Sequence, residues 1–256
     1  MKVLDDPAKI KELDSMDMLG VEEEFLDQLV KSRKIAQSSD VSNLKKEKIS
    51  GVAILGMGGS GFAGDIIKSL IIDSVKIPVE IVKSYELPNF ITGNWLVIAV
   101  SYSGNTEETI SGTAEALRRG CELLMVSAGG EIEKIAKQNG KIHVKVPSGF
   151  QPRGASGYLF FTTFLLLGEL GIINISDAEI EEALALINEK AKIYRRDVSY
   201  ENNPAKKLAT ELFGRLPVIY GVNGYLATVA YRWKCEINEN SKCPCFWAEF
   251  PELNHN

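Results

Sequence analysis

Histidine is nearly absent from this chain of 256 residues, which has two, and cysteine is sparse at four. With so few histidines, and no second cysteine pair to complement Cys243-Pro-Cys245, the usual four-ligand zinc site is not expected. Cys121, Cys235, Cys243 and Cys245 are also too few and too unevenly spread for a disulfide framework. Positive charge is in the minority. The 29 Lys and Arg against 34 Asp and Glu leave a formal net charge of −5. Broad binding to nucleic acid or to an anionic membrane needs a basic surface and is not expected. A small anion is another matter, because a few backbone amides can hold a phosphate without any net positive charge. Long apolar runs are missing too. The longest, from Tyr158 to Ile173, carries Thr162, Thr163 and Glu169 and falls short of a membrane span. The opening MKVLDDPAKIKELD has early acids and no apolar segment, so it does not read as a secretory signal. A soluble protein of the cytoplasm is expected.

What is present is ordinary for a globular chain, at 45 % hydrophobic and 25 % charged, and sufficient for a sizeable core. The first fifty residues read as helical and charged. Phe25, Leu26, Leu29 and Val30 recur at helical spacing in an amphipathic surface helix over 21–36. Then the period changes. Val52-Ala53-Ile54-Leu55 is a short continuous apolar run ending in glycines, as expected of a strand buried on both faces. Similar runs at 78–82, 95–100 and 123–126, and an alternating one at 142–146, predict further strands. Helical stretches at 62–72, 106–119 and 132–138 fall between them. This alternation predicts an α/β architecture with parallel sheets flanked by helices. More helices are expected at 160–170, 178–196 and 205–213. Val218-Ile219-Tyr220-Gly221 opens a second strand–glycine–helix unit, with one clear strand and a helix over 226–237. The expected organisation is an N-terminal helical segment (1–50), a first α/β domain (51–170) and a second, shorter one (171–256).

Two loops carry the chemistry. Gly56-Met57-Gly58-Gly59-Ser60-Gly61 follows a buried strand and precedes a helix, which makes an anion site of backbone N–H groups and a positive dipole end. The same letters fit a dinucleotide fingerprint through Gly56, Gly58 and Gly61. That reading needs an acid at the end of the second strand, where Lys83 and Ser84 stand instead. A glycine turn that only reverses the chain is the third alternative. The second loop, Ser101-Tyr102-Ser103-Gly104-Asn105-Thr106-Glu107-Glu108-Thr109, crowds hydroxyls at a helix start. Asn105 and Glu108 have the spacing of a capping box. Capping does not account for Ser101, Ser103 and Thr106, whose hydroxyls suit a phosphate.

Together these loops resemble the sugar isomerase (SIS) fold and, more narrowly, the bifunctional phosphoglucose/phosphomannose isomerases typical of archaea. Pro152-Arg153, Asn238-Glu239-Asn240 and Asn254-His255-Asn256 extend the match, in order, over nearly the whole chain. The resemblance implies two flavodoxin-like SIS domains, a homodimer, and no metal or organic cofactor. It also implies an isomerase of glycolysis and gluconeogenesis that interconverts glucose 6-phosphate, and mannose 6-phosphate, with fructose 6-phosphate. From the two loops, Gly59, Ser60, Ser101, Ser103 and Thr106 are expected to hold the phosphate or sugar hydroxyls; the family pattern adds the chemistry. Arg153 steadies the enediolate, Glu239 moves the proton, and His255 opens the ring from across the dimer interface. Family members continue past this His-Asn with further strands, a helix, a ring-opening lysine and a threonine linked to mannose 6-phosphate. None of these has a counterpart here, so the second domain is expected to be incomplete.

On their own the residues leave more open. One arginine in a glycine-rich loop is often a surface residue or a clamp. Glu236, three residues before Glu239, is its rival on a similar helical face. His143 shares a strand face with Lys145 and is expected to be exposed and inert. A phosphosugar sensor that binds without turnover would need the loops but neither Glu239 nor His255. A nicotinamide-dependent enzyme would use the glycines of the first loop alone.

Overall fold

The apolar runs of the first half form a parallel sheet in the order β2-β1-β3-β4-β5. The strands are β1 (Gly51–Leu55), β2 (Val79–Val82), β3 (Trp95–Val100), β4 (Glu122–Ser127) and β5 (Ile142–Lys145). Strands β1 and β3 are buried at every residue. Both faces leave water, which is why their sequences are continuous rather than alternating. The crossovers are helices α4 (Gly58–Ile71), α5 (Glu107–Arg118) and α6 (Gly130–Gln138). On one face Leu55, Val97, Ala99, Leu123 and Met125 pack with Ala116 of α5 and with Ile132 and Ala136 of α6. Each such large apolar side chain contributes roughly 1.5–3 kcal/mol of burial. Helix α4 covers the other face, where Gly64 meets Ile54 and Ile81, and packs against the very apolar α7 (Ser156–Glu169).

A computed structural model describes residues 3–44 and 49–255; Asn256, the last residue of the third motif, lies outside them. The chain divides into two compact units, residues 31–175 and residues 1–30 together with 176–256. The second unit contains α1 (Pro7–Leu13), α2 (Met18–Glu23), α8 (Asp177–Tyr194), α9 (Pro204–Leu212), β6 (Val218–Val222), α10 (Tyr225–Asn240) and β7 (Phe246–Phe250). Its N-terminal helices are tied down by charge. Arg196 pairs with Asp17 and Glu23, and buried Lys206 donates to Asp5 Oδ1 at 2.9 Å and to the Arg196 carbonyl at 2.7 Å. Among the described residues no helix is long and apolar enough to cross a membrane.

Three expectations are corrected here. The helix over 21–36 is two helices, α2 and α3 (Phe25–Ser38), separated at Glu24. Val30 of its supposed apolar stripe is exposed, whereas Gln28 and Ser32 are buried. The first fifty residues do not stand apart, since residues 1–30 group with the C-terminal part and the rest with the five-stranded sheet. Finally, the second unit has a strand that its sequence did not announce. β7 runs parallel to β6, pairing Val218 with Phe246 and Val222 with Phe250.

Candidate active site

In this strand order β1 and β3 are neighbours, and the helices that follow them leave on opposite faces of the sheet. A crevice opens beyond their carboxyl ends at such a switch point, and both glycine-rich loops lie there. Helix α4 starts at Gly58 behind an extended Met57, and no side chain caps it. Helix α5 starts behind an extended Thr106, again with no side-chain cap. Each therefore presents first-turn N–H groups that have no partner within the helix, at the positive end of its dipole. Two such ends side by side suit a phosphate.

The hydroxyls are arranged around the same place. Ser101 Oγ lies 3.0 Å from Thr106 Oγ1, so the threonine at the helix start turns its hydroxyl into the loop. The turn closes through Gly104 N–H to the Ser101 carbonyl at 3.0 Å and Asn105 N–H to Ser103 Oγ at 3.2 Å. Gly104 has φ +70°, and a Cβ there would overlap the Gly129 carbonyl oxygen, so only glycine serves. Ser60 is buried, and its Oγ accepts the Tyr102 N–H at 3.1 Å. That bond joins the two loops and leaves the Ser60 hydroxyl proton free to be donated.

Arg153 enters from a third direction. It sits half-buried on the 3-10 turn Pro152–Ala155. A Cβ on Gly59 would lie 2.9 Å from the Pro152 carbonyl and 3.4 Å from Arg153 Cα, so the turn passes hard against the first turn of α4. The fold thus brings Gly59, Ser60, Ser101, Ser103, Thr106 and Arg153 to one crevice. A residue missed from the sequence completes it. The buried Tyr102 hydroxyl donates to the Pro147 carbonyl at 3.1 Å and accepts the Phe150 N–H at 2.8 Å. Burial pushes this phenol above its ordinary value near 10.

Two local expectations fail. Asn105 and Glu108 form no capping box, because Thr106 occupies the cap position. The Asn105 side chain instead accepts the Glu131 N–H at 3.0 Å, at the start of α6. His143 is not an exposed bystander either. It is half-buried with Nε2 2.7 Å from Ser127 Oγ. At the end of β2 stands Lys83, paired with Asp65, where a dinucleotide ribose would want an acid.

Glu239 and His255 belong to the other unit. Glu239 is half-buried in the last turn of α10. Its rival Glu236 has both carboxylate oxygens engaged, one with Arg232 and one with Asn240 Nδ2 at 2.8 Å. Asn238 Nδ2 donates to the Cys243 carbonyl at 2.8 Å, which places this end of α10 beside the turn into β7. His255 is exposed on the 3-10 turn Glu252–His255 that follows the far end of β7. There Phe250 accepts the Asn223 N–H at 2.8 Å, level with the end of β6. Helix α10 runs back between those two levels, about 20 Å at 1.5 Å per residue. The structure does not bring Glu239 and His255 together within the unit.

A parallel sheet ordered 2-1-3-4-5, with two uncapped helix starts and a hydroxyl-rich loop at its switch point, is that of a flavodoxin-like α/β protein with a candidate anion site. Comparison with known proteins narrows this. The chain is 40 % identical over 230 residues to the bifunctional phosphoglucose/phosphomannose isomerase of Caldicellulosiruptor bescii, covering 90 % of this chain and 68 % of that one. It is 40 % identical over 209 residues to the protein of that name from Thermoplasma acidophilum, covering 81 % and 61 %. It therefore belongs to the bifunctional phosphoglucose/phosphomannose isomerase family. A more distant relative, 32 % identical with 86 % and 66 % coverage, is the D-glucosamine-6-phosphate 4-epimerase of Sulfolobus acidocaldarius. Residues 201–256 match the bacterial phospho-glucose isomerase C-terminal SIS domain. The fold is shared with tagatose-6-phosphate ketose/aldose isomerase from Escherichia coli (TM-score 0.61, 16 % identity, 93 % of this chain and 66 % of that one). It is shared equally with the C-terminal domain of glucosamine-fructose-6-phosphate aminotransferase from Francisella tularensis (TM-score 0.66, 16 % identity, 93 % and 71 %). The fold is thus that of the SIS phosphosugar proteins. The chain spans only some three-fifths to two-thirds of the length of the isomerases it matches.

Proposed function

We propose that the protein is an aldose–ketose isomerase that interconverts glucose 6-phosphate, and mannose 6-phosphate, with fructose 6-phosphate. The observation that carries this reading is the pair of uncapped helix starts at the switch point, ringed by serine and threonine hydroxyls with Arg153 alongside. The first-turn N–H groups of α4 and α5, with Ser60, Ser101, Ser103 and Thr106, bind the phosphate and neighbouring hydroxyls. Glu239 takes the proton from C2 of the open-chain aldose. The C–H electrons become the C1–C2 double bond of an enediolate, and its negative oxygen is met by the forked Arg153 guanidinium. A proton passes from the C2 hydroxyl to the C1 oxygen, and the glutamic acid returns its own proton to C1 as the C2 carbonyl of the ketose forms.

His255 assists ring opening from a second copy of the chain in a homodimer. The separation of Glu239 and His255 at opposite ends of the β6–α10–β7 unit supports this, since a single chain does not supply both to one place. Phosphorylated hexoses and four unpaired thiols fit the reducing cytoplasm.

Glu239→Gln tests the assignment. The amide keeps the shape and cannot take a proton, so turnover on fructose 6-phosphate should fall about 10²–10⁴-fold with KM nearly unchanged. Near-normal turnover would sink it. Run in deuterated water with the products identified, the wild-type assay should place deuterium on C1 or C2. Inversion at C4 would favour the chemistry named for the Sulfolobus relative.

A further inference from the structure

Tyr102 has no part in binding phosphate by its position, since its ring points away into the protein and is buried. Yet it touches all three pieces of the crevice. Its own backbone belongs to the hydroxyl loop, and its N–H reaches Ser60 of the glycine loop, 42 residues away, at 3.1 Å. Its hydroxyl reaches the segment leading to Arg153, donating to Pro147 and accepting from Phe150, 48 residues on, at 2.8 Å. The Phe150 ring packs on Tyr158 of α7 at 5.6 Å between centroids. Three residues past Phe150 comes Arg153, whose turn is pressed against Gly59. The segment from Pro147 to Arg153 is thus held at one end by the tyrosine hydroxyl and at the other by the first turn of α4. One donated and one accepted hydrogen bond leave the phenol no spare proton with which to act on substrate.

Resting on the isomerase reading of this crevice, we propose that Tyr102 is a positioning residue that sets the height of Arg153 above the phosphate loop. The phosphate contacts come from the loops themselves and do not depend on the hydroxyl. The enediolate contact comes from the guanidinium and does depend on it. Removing the hydroxyl should therefore weaken stabilisation of the intermediate while leaving ground-state binding alone.

The experiment compares wild type, Tyr102→Phe, Arg153→Met and the double variant, all as the full chain. Each is assayed on fructose 6-phosphate and titrated with two probes. Glucitol 6-phosphate offers phosphate and hydroxyls, and arabinonohydroxamate 5-phosphate adds a planar group resembling the enediolate. In Tyr102→Phe, kcat should fall about tenfold to a hundredfold, and KM and glucitol 6-phosphate affinity should stay within about twofold. Affinity for the hydroxamate should fall in step with kcat, and the effect should vanish in the Arg153→Met background. Unchanged kcat, equal weakening of both probes, or additive effects in the double variant would overturn the proposal. The titrations need no turnover. A wild type that binds both probes but does not isomerise fructose 6-phosphate would therefore refute the isomerase reading while the probes still decide the role of Tyr102. Should Tyr102→Phe fail to fold, amide exchange of the wild type decides instead. The Phe150 amide should be protected like those of β3, and exchange at an open-loop rate would overturn the proposal.

Discussion

Ser127 Oγ donates to the Gly129 carbonyl at 2.8 Å and accepts the Gly129 N–H at 3.2 Å, with His143 Nε2 2.7 Å away. Its proton is committed to Gly129, so the network assigns the third bond to an Nε2–H of His143. This clasp holds the turn on which Gly104 of the hydroxyl loop rests. Burial is the main influence on His143 and pulls its pKa below the ordinary 6.5; Glu133 opposes this, while Lys145 and Lys137 reinforce it. A histidine with a lowered native pKa leaves the unfolded chain to bind the proton first. Its contribution to stability is present above about pH 6.5 and lost as pH falls through the native value. His143→Gln keeps a donor at the same reach but does not titrate. Its stability should vary less between about pH 5 and 6.5 than that of wild type, as measured by urea unfolding at several pH values. Equal slopes would remove His143 from the account. Gly104, Ser101 and Thr106 were legible in the sequence because their chemistry is local to one loop. His143 and Asn105 were misread because their partners, Ser127 and Glu131, lie 16 and 26 residues away.

Among the elements, those with a strong internal period were placed well from sequence, including β1, β3, β4 and the helices between them. Helix α8 carries its own start signal, a capping box in which Ser176 and Glu179 satisfy each other's backbone N–H groups. Strand β7 carries no such signal. Phe246-Trp247-Ala248-Glu249-Phe250 becomes a strand by pairing with β6, a partner that begins 28 positions earlier in the pairing register of Val218 with Phe246. The placement of the N-terminal helices likewise depends on distant charges. Lys206 is 9 % exposed, and its ammonium spans Asp5 and the Arg196 carbonyl. Lys206→Met should cost roughly 3 kcal/mol by leaving Asp5 without its ammonium, seen as a lower Tm. Cleavage by trace protease should then concentrate before Leu13. A Tm within a degree or so of wild type would mean the pair contributes little.

For the whole molecule the testable consequence of the proposed dimer is complementation. Glu239→Gln and His255→Ala chains should each be inactive alone. Unfolded and refolded together, they should form mixed dimers in which one site receives both an intact Glu239 and an intact His255, and part of the activity should return. A mixture as inactive as its components would mean that both residues serve the same chain's site.

The sequence by itself determined the strands, most helices, the two loops with their hydroxyls, and the family. Each of these rests on residues within a few positions of one another, or on a pattern carried by the letters. Tertiary structure alone decided that β1 and β3 are neighbours and so bring both loops to one crevice. It also decided that Tyr102 ties them to the Arg153 turn, that Glu236 is occupied, and that Glu239 and His255 stand at opposite ends of their unit. Those facts depend on hydrogen bonds and burial between residues far apart in the chain, which have no energy until the sheet has formed.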